Sequence, residues 1–289
     1  MRTVPLLAAI FLAVLCMSTA SIMIRVCTAP AMVIALYRVG FTTGLAGVIE
    51  GRSLPENIAA IEREDLLYIL GAGFFLALHF AFWITSLSYT TVSSSVLFTN
   101  LQVVFVLILS VIFLKDKLNR PIIIGILVAL VGCLFIAGGD LSSGRILGDM
   151  LALASGLFIA IYFLIGRKIR PRVNTFTYTF MVSGAAVVVL LAGTLAGGWS
   201  LTGYPAGDWL LFFLMALGPG IGGHAILNWA LKYVQAPIVS VSILGESVGA
   251  SILAFFIFQE HLLWYQIIGG LLILAGIYTA SVHQQKRTG

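Results

Sequence analysis

One carboxylate of this chain stands deep inside an apolar run. Glu246 lies nine residues past Pro237 in a stretch of Ile, Val, Ser, Leu, Ala and Phe. An ionised carboxylate in such surroundings costs several kcal/mol unless it is paired or hydrated. A carboxylate that can cycle between charged and neutral forms is what a proton-coupled exchanger needs. The competing reading is a protonated or Arg-paired Glu that only holds helices together. Arg38 is the one basic residue at comparable depth. Its planar guanidinium suits a substrate carboxylate, and it suits a structural ion pair with Glu246 equally well. His79, Trp83 and Ser86 follow one another at i, i+4 and i+7, on one helical face. His224 and Asn228 are spaced i, i+4; Ser95, Thr99 and Gln102 share a face, as do Ser242, Glu246 and Gly249. Four polar stripes on four apolar helices suit a shared cavity. They suit interhelical hydrogen bonds of about 0.6 kcal/mol each as well. Trp83, Tyr37 and Tyr162 are candidate aromatic walls.

Other chemistries lack their motifs. There is no phosphate-binding Gly-x-x-x-x-Gly-Lys loop, no His-Glu-x-x-His, and no Gly-x-Ser-x-Gly elbow. The three cysteines, Cys16, Cys27 and Cys133, have no metal-ligand or Cys-x-x-Cys spacing and read as small apolar packing residues. No cofactor and no metal is expected. An intramembrane enzyme using His79, His224 and Glu246 is the alternative of a different class; we expect the chain not to be an enzyme.

The elements that must position these residues follow from composition. Of 289 residues, 60% are hydrophobic and 9% charged, and the mean hydropathy is +1.09. Soluble domains carry about 25% charged residues, so this is an all-α polytopic membrane protein. Runs of about 20 apolar residues fall at 4–24, 30–49, 66–86, 92–114, 121–138, 147–166, 174–196, 207–231, 237–258 and 263–282, predicting ten transmembrane helices. The first run also resembles a signal peptide, but its removal would leave nine spans and spoil the symmetry described next. The charged connection Gly51–Asp65 is expected to form a short interfacial helix. The Gly-Pro-Gly-Ile-Gly-Gly run at 218–223 is expected to bend or break the eighth span.

The chain repeats itself. Shifting by 144 residues places Leu87 on Leu231, Tyr89 on Tyr233, Gln102 on Glu246, Asp116 on Glu260, Gly125 on Gly269 and Gly132 on Gly276, without gaps. The chain therefore divides into residues 1–141 and 142–289, two halves of five spans each. An odd number of spans per half inverts the second relative to the first. Lys and Arg placement agrees: with both termini cytoplasmic, 13 of the 16 fall inside, only Arg25 and Arg145 outside, and Arg38 within the membrane. The net charge of +5 reflects these loops and not a nucleic-acid partner. Inverted repeats with a site between them near the midplane are the architecture of secondary transporters.

The sequence resembles the drug/metabolite transporter superfamily, specifically its EamA-type ten-helix carriers. The likeness rests on the twofold repeat, Ala35-Leu-Tyr-Arg38, Ser86-Leu-Ser-Tyr-Thr, Val92-Ser-Ser-Ser, Phe113-Leu-Lys-Asp-Lys-Leu, Gly148-Asp-Met-Leu-Ala-Leu and Leu244-Gly-Glu-Ser. The family often has Pro after the polar centres of spans 4 and 9, where this chain has Val103 and Ser247. The resemblance implies export of amino acids, other metabolites or drugs. The resulting expectation is a multi-pass, monomeric secondary transporter of the cell inner membrane, exporting small metabolites by alternating access, with protons as the coupling ion. Glu246 is assigned to proton coupling, and Arg38, His79, Trp83, Gln102, His224 and Asn228 to the substrate route. An uncoupled facilitator and an organic-cation or drug efflux carrier are the alternatives.

Overall fold

Every span must satisfy its backbone within itself once water is excluded, so apolar segments of this length wind into helices. The computed structural model describes residues 3–90, 92–116, 119–137, 146–258 and 264–285, and among them there is no strand. The helices are α1 (Thr3–Ser18), α2 (Ala20–Val26), α3 (Ala31–Glu50), α4 (Leu54–Ala59), α5 (Arg63–Ser86), α6 (Val92–Asn100), α7 (Gln102–Phe113), α8 (Arg120–Ala137), α9 (Ile146–Ile169), α10 (Thr175–Ala196), α11 (Ala206–Met215), α12 (Ile226–Ala230), α13 (Ala236–Ile243), α14 (Gly245–Phe258) and α15 (Trp264–Gln285). Among the described residues, seven stretches are long and apolar enough to cross a membrane, with mean hydropathies from 1.6 to 2.4. Three shorter apolar helices, Phe98–Phe113, Arg120–Phe135 and Ile267–Ala280, stand where the fourth, fifth and tenth spans are expected. The boundary at 141/142, the glycine pair 138–139, and Arg2, Lys117, Arg145, Glu260, Lys286 and Arg287 lie outside the described residues.

Local sequence explains several boundaries. Pro30 and Pro205 precede α3 and α11 in extended conformation, and Pro237 occupies the first turn of α13, where its missing N–H costs nothing. Gly51 closes α3 at φ +60°, a backbone region that disfavours side chains. The charged connection after it does carry a short helix, α4.

Among the described residues four spans are interrupted, the first of them at Thr19, between α1 and α2. Between α11 and α12, residues Ala216–Ala225 wind as a π-helix with Pro219 inside it, so the glycine-rich run widens the span instead of cutting it. α6 and α7 are separated at Leu101, and α13 and α14 at Leu244. At both places the N–H groups reach back three residues: Leu101 to Phe98 at 3.3 Å, Leu244 to Val241 at 3.1 Å and Ser247 to Leu244 at 3.2 Å. These breaks form without proline. At the first, Gly156 of α9 passes so close that a methyl group on it would lie 2.8 Å from the Thr99 carbonyl oxygen.

One large apolar core joins α1, α3, α5, α9, α10, α11 and α12. A smaller one, including Val103, Ile126, Val241 and Ile273, joins α7, α8, α13 and α15. α8 and α15 run antiparallel and cross on glycines. A methyl on Gly125 would meet Gly276 O at 2.6 Å, and one on Gly132 would meet Gly269 O at 2.5 Å. The packing of the fifth and tenth spans is thus tight, backbone against backbone.

Candidate functional site

The breaks in the fourth and ninth spans bring polar side chains to the middle of the bundle. Gln102 follows the first break and Glu246 the second, with Asn100 and Ser247 beside them. Asn100 Nδ2 donates to Ser247 Oγ at 3.1 Å. Around them lies a cavity of about 590 Å³ of empty space, lined by Arg38 of α3, His79, Phe80 and Trp83 of α5, Gln102 of α7, His224 of the π-helix and Glu246 of α14, among others. Six of the seven residues selected from sequence face this one space. Arg38, His79, Trp83 and Gln102 are buried, while His224 and Glu246 are half-buried.

Asn228, the seventh, does not reach it. It lines an adjoining cavity with Thr42, Tyr162, Thr179 and Ser183, and donates from Nδ2 to the Tyr162 hydroxyl. Arg38, Phe80 and His224 line both cavities and form the partition between them. Phe80 is its centre: the Arg38 guanidinium carbon lies 4.4 Å from its ring centroid, and the His224 ring meets it edge-on at 5.6 Å. This cation–π contact holds Arg38 without neutralising it.

His79 is fixed by α9. Its Nδ1 lies 2.9 Å from Ser155 Oγ and 3.2 Å from Ser155 O. Its ring is nearly parallel to Trp83, 8° apart with centroids at 6.0 Å. Arg38 Nη1, His224 Nδ1, Thr179 Oγ1 and Asn228 Oδ1 have no hydrogen-bond partner among the described residues. Buried polar atoms are costly to leave unpaired, so these four are available to a polar guest. Arg38 and Glu246 both face the first cavity, near enough to sense each other's charge, but no ion pair within 4.0 Å joins them.

Sequence reasoning missed Phe80 and Asn100, and it treated Ser247 only as the replacement for a proline. Asn100 sits on the helical face of no stripe that was counted; its role appears only because the span breaks one residue later. Of the aromatic walls, Trp83 lines the first cavity and Tyr162 the second. Tyr37 does neither: it stacks on Phe212 and donates its hydroxyl to Leu201 O.

A helical bundle in lipid, with a charged and aromatic cavity enclosed among broken helices, defines the class: a polytopic membrane protein built around a small-molecule compartment. The EamA-like transporter family model matches residues 5–138 and again residues 146–282. The chain belongs to that family and is a transporter. An uncharacterized transporter of Archaeoglobus fulgidus is 26% identical over 275 residues, covering 94% of this chain and 95% of its own. The uncharacterized transporters YxxF and YyaM of Bacillus subtilis are 27% and 28% identical, covering 78% and 75% of this chain and 73% and 72% of theirs. A solved crystal structure superposes with a TM-score of 0.77 over 98% of both chains at 16% identity, which speaks to the fold alone.

Proposed function

We propose that this transporter is a ten-span secondary carrier of the cell inner membrane, with both termini cytoplasmic, which exports small metabolites such as amino acids by alternating access coupled to protons. Its halves, 1–141 and 142–289, are inverted copies. The observation that carries this reading is the composition of the central cavity. Its charged and polar lining comes from both halves, Arg38, His79 and Gln102 from one and His224 and Glu246 from the other. Two further observations support the inversion. The family model matches each half separately. The glycine crossing is also self-consistent: in the 144-residue register Gly125 becomes Gly269 and Gly276 becomes Gly132, so exchanging the halves turns one contact of the pair into the other. Equivalent helices that cross antiparallel are related by an axis perpendicular to both. For helices that span a membrane, that axis lies in its plane.

In this reading Arg38 binds the anionic group of the cargo, Trp83 and Phe80 wall its body, and Glu246 carries the proton. The test is efflux from proteoliposomes loaded with a mixed amino-acid pool and read by mass spectrometry. Cargo should leave chemically unchanged, and Arg38→Ala, purified as a folded monomer, should abolish the flux. Conversion of the pool into new species would make the protein an enzyme. Flux indifferent to Arg38→Ala would move the route elsewhere.

A further inference from the structure

Arg38 is a buried cation with a ring face for a neighbour. Among the described residues no ion pair within 4.0 Å involves it, and its Nη1 is buried without a hydrogen-bond partner. A ring face attracts a guanidinium but supplies no countercharge and no acceptor along the N–H directions. A charge so deep in a membrane bundle calls for an anion or water beside it. Glu246 lines the central cavity and not the second one. The second cavity has Arg38 as a wall, and no Asp or Glu lines it. The field in that cavity is therefore positive.

The other walls add hydrogen-bond donors to that charge. Thr179 and Ser183, one turn apart on α10, line the second cavity and not the central one. Thr179 is only 4% exposed, and its Oγ1 has no partner among the described residues. The Tyr162 hydroxyl accepts from Asn228 Nδ2 and keeps its own hydrogen to give. His224 Nδ1, also unpartnered, is a further donor in the tautomer that carries its hydrogen there. Asn228 Oδ1 is the one unpartnered atom of these walls that can only accept. It lies on the Gly166 side: a methyl on that glycine would stand 3.8 Å from it and 3.2 Å from the Tyr178 hydroxyl, which also lacks a partner. The amide oxygen and that hydroxyl suit each other, which leaves the donors to the cavity.

The guest must also be small. The free space between these walls suits a water molecule or a monatomic ion. Arg38 repels a cation, and an organic anion is too large. We propose that the second cavity is a binding site for a halide ion such as chloride, held by the Arg38 guanidinium and the hydroxyls of Thr179, Ser183 and Tyr162. The ion supplies the countercharge that the Phe80 ring cannot, and it does so on the far side of the partition from the central cavity. The inference does not depend on which cargo is carried, on coupling or on the inversion of the halves.

The test is thermal unfolding of the purified protein in detergent, with gluconate exchanged stepwise for chloride or bromide. Ionic strength is held constant, so that screening at the surface does not change. A ligand of the folded state raises the midpoint as its concentration rises, and the wild-type midpoint should climb with halide along a saturable curve. Thr179→Val keeps the side-chain shape and removes the hydroxyl, so it should weaken the affinity read from that curve at least about tenfold. Thr99→Val changes a hydroxyl that lines the central cavity only and should leave the affinity unchanged. Should Thr179→Val fold poorly, Ser183→Ala should weaken the affinity in the same direction. Crystals soaked in bromide locate the ion directly, with the anomalous peak expected beside Arg38 and Thr179. A wild-type midpoint indifferent to halide would mean that water fills the cavity. Thr179→Val responding like the wild type, a loss as large for Thr99→Val, or a bromide peak only in the central cavity or at the surface would put the ion elsewhere. Each of these results overturns the inference. The readout needs no cargo, so halide binding without amino-acid flux would refute only the proposed substrate, and flux without halide binding would refute only the halide site.

Discussion

Arg38 is held by a ring face and not by a carboxylate, and in the proposed reading its planar fork takes the anionic group of the cargo. Lysine in its place keeps the charge but loses the paired N–H geometry. Hydrogen bonds to charged groups are worth about 1.5–3 kcal/mol, so Arg38→Lys is expected to raise KM for a carboxylate cargo at least about tenfold while the melting temperature stays near that of the wild type. An unchanged KM would remove Arg38 from the binding site. Beside Arg167, burial pushes the Asp116 carboxyl above its ordinary value of 3.8, with Arg167 and a hydrogen bond from Gln235 pulling it partly back. Its folded value lies above its unfolded one. The stability it contributes is therefore complete below 3.8 and is lost as pH rises through the folded value. Asp116→Asn, neutral throughout, should flatten that part of the pH dependence of thermal unfolding. A profile identical to the wild type would place Asp116 in water. At this scale the ionisable residues were legible in the sequence, because such groups in apolar runs are rare and conspicuous, whereas the Asn100–Ser247 pair was not. Phe80 was not, since a phenylalanine among apolar residues carries no mark until Arg38 and His224 are seen on its two sides.

The helices divide into those that pack by side chains and those that pack by backbone. In α8 and α15 the crossing glycines leave no room for a methyl group. Gly132→Ala must push two backbones apart, and overpacking of this kind costs about 1–3 kcal/mol. Gly71, in α5, has nothing within 4 Å of where its methyl would stand, so Gly71→Ala should stabilise by about 0.5–1 kcal/mol through helix propensity alone. Thermal unfolding of the two variants in one detergent should move in opposite directions; a shared direction would mean that the crossing is not tight. The glycines of α8 and α15 were readable as packing sites from their recurrence in the repeat. The breaks at Leu101 and Leu244 were not, because the residues usually associated with them are prolines and this chain has none there. What accompanies the break at Leu101 is tertiary, the approach of Gly156, and no local pattern records it. The eighth span illustrates the intermediate case. Its glycine run announced an irregularity, but whether it would break or widen into a π-helix depended on its neighbours in α1 and α3.

For the molecule as a whole, the proposed reading makes the two-sided symmetry and the central cavity parts of one design. The register of the repeat was visible in the sequence because Tyr, Gly and acid positions recur at a single spacing. In the proposed carrier one compartment faces each side in turn, and Glu246 is the group assigned to coupling. The most direct measurement is therefore cargo flux in proteoliposomes with and without an imposed pH gradient, for wild type and Glu246→Gln. The account predicts that the gradient drives wild-type flux uphill and that the variant retains only downhill exchange. Wild-type flux that ignores the gradient, with a folded Glu246→Gln behaving identically, would contradict it and leave Glu246 as a structural residue in an uncoupled facilitator.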